Sequence, residues 1–226
     1  YDDVKKAVES AGGTLYELAN ASRELEIIEK GIALAKEKSI ELVIGAGGAN
    51  IMDCAKLIAF GTYHADDLWA YIKSEKNPYG LKKLPLILMP TYPSSGSEYG
   101  LGAVSSDARR GDRGTAYGIA ADTAILVPKY SMSLGAELTA YTGLVTLSAS
   151  TIGDQNSVSY DIGISVIRNV LAATKKLREN PQDEDARGVI LYGASISTSG
   201  RLGLGKEENY AYDIYEVMYV PVDMYS

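Results

Sequence analysis

LVIGAGGANIMDCAK, residues 42–56, runs from apolar β-formers into a segment of helical spacing through Gly45, Gly47 and Gly48. Three readings of that glycine cluster compete: a tight turn, a close approach between backbones, and a loop that cradles phosphate. Upstream, SRELEIIEKGIALAKEKS sets Leu25, Ile28, Ile32 and Ala35 on one helical face, with Ser22 as the expected cap. IELVIGAG then reads as a buried strand and IMDCAKLIAFGTY as a helix whose inner face carries Ile51, Ala55 and Ile58.

Further on, LPLILMPTYPSSGSEYG is a second apolar strand entering a Ser/Gly-rich loop, and TAILVP a third strand stopped by its proline. Strand, helix and apolar strand in that order predict parallel crossover units with helices on both faces of a sheet. Ahead of them, YDDVKKAVESAG reads as a short amphipathic helix closed by Gly12-Gly13, and TLYEL as a strand. From Thr139 onward the pattern is helical, in SYDIGISVIRNVLAATKKLREN and DEDARGVILYGASISTSGRLGLG, with Asn180-Pro181 between them. The expected fold class is α/β: a parallel-sheet nucleotide-binding domain over residues 1–130, followed by an all-helical domain over 131–226.

Composition narrows the function. A net charge of -7 without a basic stripe gives counterion release little to work with, so nucleic acid is not an expected partner. No apolar run approaches the roughly eighteen residues of a membrane span. The one cysteine, Cys54, sits at helical spacing among apolar residues and reads as a packing thiol, which suits a cytoplasmic location. One histidine against seventeen tyrosines excludes any His-rich metal site, and His64 in GTYHADD reads as a solvated loop residue. The chain opens without Met inside a helix-like run and is expected to be part of a longer polypeptide.

Two loops follow apolar strands. A loop at the carboxyl end of a parallel strand, leading into a helix, presents free N–H groups and the positive end of the helix dipole to an anion. Gly47 and Gly48 permit close backbone approach there. The dinucleotide fingerprint G-x-G-x-x-G is not matched, since Asn50 stands at its third glycine position. Residues 91–98 bring further hydroxyls and a glycine to the end of the next apolar strand.

GAGGANIMDCAK resembles the G-G-G-S-x-x-D-x-A-K segment of the iron-containing (group III) alcohol dehydrogenases, and PTYPSSGSE is similar to their P-T-x-x-x-T-G-S-E loop. ILVPKYSMSLGAELTAYTGL and GLGKEENYAYDIYE resemble later family segments, and the butanol dehydrogenase-like branch is the nearest in pattern. The resemblance implies a dehydroquinate synthase-like fold and reversible hydride transfer between NAD or NADP and a small alcohol or aldehyde. By position it implies cofactor contacts from Gly47, Gly48, Asn50, Asp53, Thr91, Ser95, Ser97 and Arg113. It also implies a divalent Fe or Zn, yet Val145 and Ala149 stand at two ligand positions and only Asp213 offers a donor near a third. A homo-oligomer is expected, with the tyrosines of residues 209–226 at an interface. The alternative is a dehydrogenase-fold protein that has lost its chemistry and serves assembly or regulation.

Overall fold

The computed structural model describes residues 2–64, 68–74, 80–93, 95–135, 138–139, 142–143 and 157–198. Val145, Ala149, Asp213, Asp66-Asp67 and the tyrosine-rich stretch 209–226 lie outside the described residues.

Helix α1 spans Asp2–Ser10 and α2 Leu25–Glu37. Strand β1 spans Val43–Gly47, α3 Ala49–Gly61, α4 Leu68–Lys73 and β2 Leu86–Pro90. β3 and β4 are Ala103–Asp107 and Asp112–Ala116, and β5 is Thr123–Ala124. A 3-10 turn at Pro128–Ser131 precedes α5, Ser157–Glu179, and α6, Glu184–Thr198.

β1, β2 and β5 form a parallel sheet in that order, with Val43 opposite Leu86 and Gly47 opposite Pro90. Parallel sheets need cover on their faces, which explains the continuous apolar runs of β1 and β2. α3 is the central element: every residue from Met52 to Gly61 is buried, where an amphipathic helix would bury one stripe. α2 lies against it, and the predicted face of Leu25, Ile28, Ile32 and Ala35 is buried throughout. Gly31 and Gly61 permit the contact, because a Cβ on either would meet an isoleucine Cδ1 at 2.3 Å.

Four expectations are corrected. TLYEL forms no strand in the structure; its Leu and Tyr suit a strand, but it pairs with no strand among the described residues. Ser22 does not cap α2. Glu24 holds that position, and the Ser22 hydroxyl accepts the Glu24 N–H at 3.3 Å, because the backbone of 22–24 is committed to β3: the Ser106 N–H donates to the Arg23 carbonyl at 2.9 Å. The antiparallel hairpin β3–β4 was not expected from its mostly polar residues. His64 is half-buried, stacked on Phe60 at 4.4 Å, with Nε2 2.9 Å from the Lys82 carbonyl oxygen.

Beyond the 3-10 turn the described elements are helical. Val170, Ala173 and Leu177 of α5 pack on Ala186 and Ile190 of α6. Asp183 caps α6, accepting the Ala186 N–H at 2.9 Å. Arg187, 2% exposed, ties α6 to the incoming chain: its guanidinium donates to the carbonyls of Pro181 at 2.9 Å, Ser131 at 2.5 Å and Leu134 at 2.9 Å. No helix among the described residues is long and apolar enough to cross a membrane.

Candidate functional site

The glycines of β1 and its loop have separate reasons to be glycine. A Cβ on Gly45 would meet the Ala55 Cβ and Leu88 Cδ2 at 2.7 Å, and one on Gly47 would meet Ile51 Cγ1 at 2.7 Å and Cβ at 2.8 Å. Both let α3 sit close on the sheet. Gly48 differs, since the nearest atom to its added Cβ is the Tyr92 Cβ, at 3.9 Å. None of the three has positive φ, so a turn conformation is not what requires them.

Gly48 is the N-cap of α3, with φ -78 and ψ -176, and no side chain caps that helix. The first helical N–H groups and the positive end of the dipole therefore face the space beside Gly48. The Thr91 N–H donates to the Gly47 carbonyl at 3.1 Å, so the two loops lie side by side at the sheet's carboxyl edge. Tyr92 is half-buried, and burial raises its phenol above the ordinary value.

Behind the loops is a buried polar cluster. Asp53 is 3% exposed; its Oδ1 accepts the Ser97 hydroxyl at 2.7 Å. Its Oδ2 accepts Arg23 Nε at 3.0 Å and the Val104 N–H at 3.2 Å, and lies 2.8 Å from the second Arg23 nitrogen. Lys56, 0% exposed, donates from Nζ to the carbonyls of Gly100 at 2.7 Å and Gly102 at 2.9 Å. Burial pulls its ammonium down to about 8, against the opposing pull of Asp53 and Glu98. Glu98 is also buried, which raises its carboxyl, and it accepts the hydroxyl of Ser195 from α6. Lys56 and Glu98 were not singled out in the sequence. The available signal was the three-residue spacing of Asp53 and Lys56, which places both on one face of α3.

The expected cofactor residues therefore separate. Gly47, Gly48, Asn50, Thr91 and Ser95 lie on the two adjacent loops or the first turn of α3, and the Ser95 hydroxyl accepts the Ser97 N–H at 3.2 Å. Asp53 and Ser97 bond each other behind them. Arg113 lies on exposed β4 opposite Ser106, near the hairpin tip, with its carbonyl accepting Lys73 Nζ at 3.0 Å. On α6, the Ser195 hydroxyl reaches Glu98.

Residues 1–128 match the family model described as iron-containing alcohol dehydrogenase. The chain belongs to the iron-containing alcohol dehydrogenase family. Across this family, a long-chain-alcohol dehydrogenase of Geobacillus thermodenitrificans is 30% identical over 190 residues, covering 80% of this chain and 48% of that protein. A probable NADH-dependent butanol dehydrogenase of Bacillus subtilis is 26% identical over 224 residues, 93% of this chain and 56% of its own length. The chain thus spans about half the length of these relatives. The crystal structure of NADH-dependent butanol dehydrogenase A from Thermotoga maritima superposes with a TM-score of 0.80 at 24% identity, over 92% of this chain and 54% of that one. That likeness supports the iron-containing alcohol dehydrogenase fold, and so do the parallel sheet and the helices that follow it.

An added Cβ on Gly48 would meet nothing nearer than the Tyr92 Cβ at 3.9 Å, and the helix end is uncapped, so a phosphate-sized anion has room to approach the first N–H groups of α3. The metal does not fit. Among the described residues no three His, Cys, Asp or Glu side chains gather as a metal ion would need, and His64 is engaged with Phe60 and Lys82.

Proposed function

We propose that the protein is an NAD(P)(H)-dependent oxidoreductase acting on a small alcohol or aldehyde. The observation that carries this reading is the uncapped N-terminus of α3 beside Gly48, joined to the 91–97 loop by the bond from Thr91 to Gly47. Gly48 admits the pyrophosphate, with Gly47 beside it by family position, the Asn50 N–H lies in the first turn that faces it, and Thr91 and Ser95 supply hydroxyls from the neighbouring loop. Asp53 and Ser97 hold those loops in register from behind. Arg113 belongs to the reading by family position alone. When bound, the dinucleotide supplies or accepts the hydride; the chain's own residues bind it, orient it and keep water from the loop side.

The division into a nucleotide domain over 1–130 and a helical domain over 131–226 belongs to the same proposal, supported by the change to helices after the 3-10 turn. So do a homo-oligomer, testable by light scattering, and a cytoplasmic location. A second reading, a dehydrogenase fold that retains nucleotide binding without turnover, is supported by Val145 and Ala149 at family ligand positions.

The test is titration with NADH and NADPH, followed by Gly48→Asp. A carboxylate placed where the pyrophosphate sits is expected to weaken binding at least about 100-fold, adding charge repulsion to lost space. Unchanged affinity would remove the site assignment. Binding with no reduction of short aldehydes would favour the second reading over the first.

A further inference from the structure

The chain that follows β2 is tied at three places to elements around it. Where it leaves the sheet, the Thr91 N–H donates to the Gly47 carbonyl at 3.1 Å. Where it enters β3, Lys56 of α3 donates to the carbonyls of Gly100 at 2.7 Å and Gly102 at 2.9 Å. Between these points Glu98 accepts the hydroxyl of Ser195, which belongs to α6 and lies 97 residues away in sequence. We propose that Glu98 and Ser195 are positioning residues: their hydrogen bond makes the seating of α6 depend on whether the loop over residues 91–97 holds a dinucleotide, although neither residue touches that ligand. The identity of the ligand rests on the proposed function.

The segment over residues 95–100 is built to carry such a dependence. Gly96 has φ +58, in the left-handed region that favours glycine, and its carbonyl accepts the N–H groups of Tyr99 at 2.9 Å and Gly100 at 2.7 Å, so the segment closes into a single turn. The Ser95 hydroxyl accepts the Ser97 N–H at 3.2 Å, and a hydroxyl that accepts still has its own hydrogen to donate to a phosphate oxygen. Ser97 donates its hydroxyl to Asp53 at 2.7 Å. An anion drawn to Ser95 therefore acts on a turn whose next polar side chains, Ser97 and Glu98, are buried and fixed to other elements.

Ser195, at the far end, has two settings. It is fully buried, and its hydroxyl has two acceptors within reach, the Glu98 carboxylate and the Leu191 carbonyl of its own helix at 3.0 Å. One hydrogen serves one acceptor well. Donation to Glu98 joins α6 to the loop, whereas donation to Leu191 satisfies Ser195 within α6 and leaves the buried carboxylate without that donor. A buried carboxylate is costly to leave unpaired, so the first setting holds while the turn keeps Glu98 in place and gives way when the turn moves.

Hydrogen exchange of α6, with and without saturating NADH or NADPH, tests this on the full chain. Bound nucleotide is expected to slow exchange over residues 191–198 at least about 5-fold, the lower end of ordinary coupling between sites. Ser195→Ala is expected to abolish that response and, by reciprocity, to raise the nucleotide Kd about 5-fold or more. A bond that only stabilised the fold would lower Tm on substitution and leave the response to nucleotide as it was. Nucleotide bound without a change in α6 exchange overturns the inference and leaves the proposed function standing. A response in Ser195→Ala as large as in the unsubstituted chain also overturns the inference alone. If neither nucleotide binds the unsubstituted chain, the proposed function and the inference both fall. Should Ser195→Ala not fold, Glu98→Met removes the acceptor at similar volume and carries the same expected loss and the same refutation.

Discussion

Replacing Lys56 by methionine probes the buried cluster behind the two loops at the carboxyl edge of the sheet. The amine is fully buried and its ammonium is pulled from 10.5 to about 8. Its folded value is therefore depressed: between about pH 8 and 10.5 the unfolded chain holds a proton that the fold has released. Lys56 contributes stability that is fully present above 10.5 and is lost as pH falls through 8. At about 1.4 kcal/mol per pKa unit, the change across that window is about 3 kcal/mol. The neutral amine still has two N–H groups for the Gly100 and Gly102 carbonyls, so the bonds persist as the charge goes. Methionine leaves both carbonyls unpaired, at about 1–3 kcal/mol each, but escapes the buried charge. Near neutral pH the two effects offset, and the difference between the proteins is small. Guanidinium unfolding of both, repeated between about pH 7 and 10.5, gives the difference in stability at each pH. It is expected to widen by about 3 kcal/mol in favour of Lys56 as pH rises. A difference that stays flat through the window would refute the burial of this amine.

Gly45→Ala drives a methyl into Ala55 and Leu88, and is expected to cost about 1–3 kcal/mol by denaturant midpoint; an unchanged midpoint would contradict the close contact of α3 with the sheet. Arg187→Met strands the carbonyls of Ser131, Leu134 and Pro181, with an expected loss of about 3–5 kcal/mol; a loss below about 1 kcal/mol would mean those carbonyls find other donors.

The parallel sheet and the buried face of α2 were legible because apolar spacing reports burial directly, as it does for Leu25, Ile28, Ile32 and Ala35. The β3–β4 hairpin was not, because Ser105, Ser106, Asp107, Asp112 and Arg113 make an unremarkably polar stretch; its one local sign was the turn at Gly111, which has φ +60. TLYEL shows the converse. Its composition suits a strand, yet a short segment without a paired neighbour does not make a sheet.

At the site, the glycine cluster gave three readings; close packing accounts for Gly45 and Gly47, whereas an added Cβ on Gly48 would meet only the Tyr92 Cβ at 3.9 Å, so packing does not account for it. Asp53 could be placed on α3, although the helix starts at Ala49 and leaves Asp53 beyond its first turn, and its partners Arg23, Ser97 and Val104 lie 30, 44 and 51 residues away. No local pattern carries such separations. The same holds for Glu98 and Ser195, which meet across 97 residues.

Cys54 is 1% exposed, and burial lifts its thiol to about 11. Both conditions for alkylation, access and thiolate, are thus denied in the closed state. Because the chain has a single cysteine, each labelled molecule records one opening of α3 from the sheet. The protein carries its own clock for that event, and the rate of mass gain with an alkylating reagent reads it without any engineered probe.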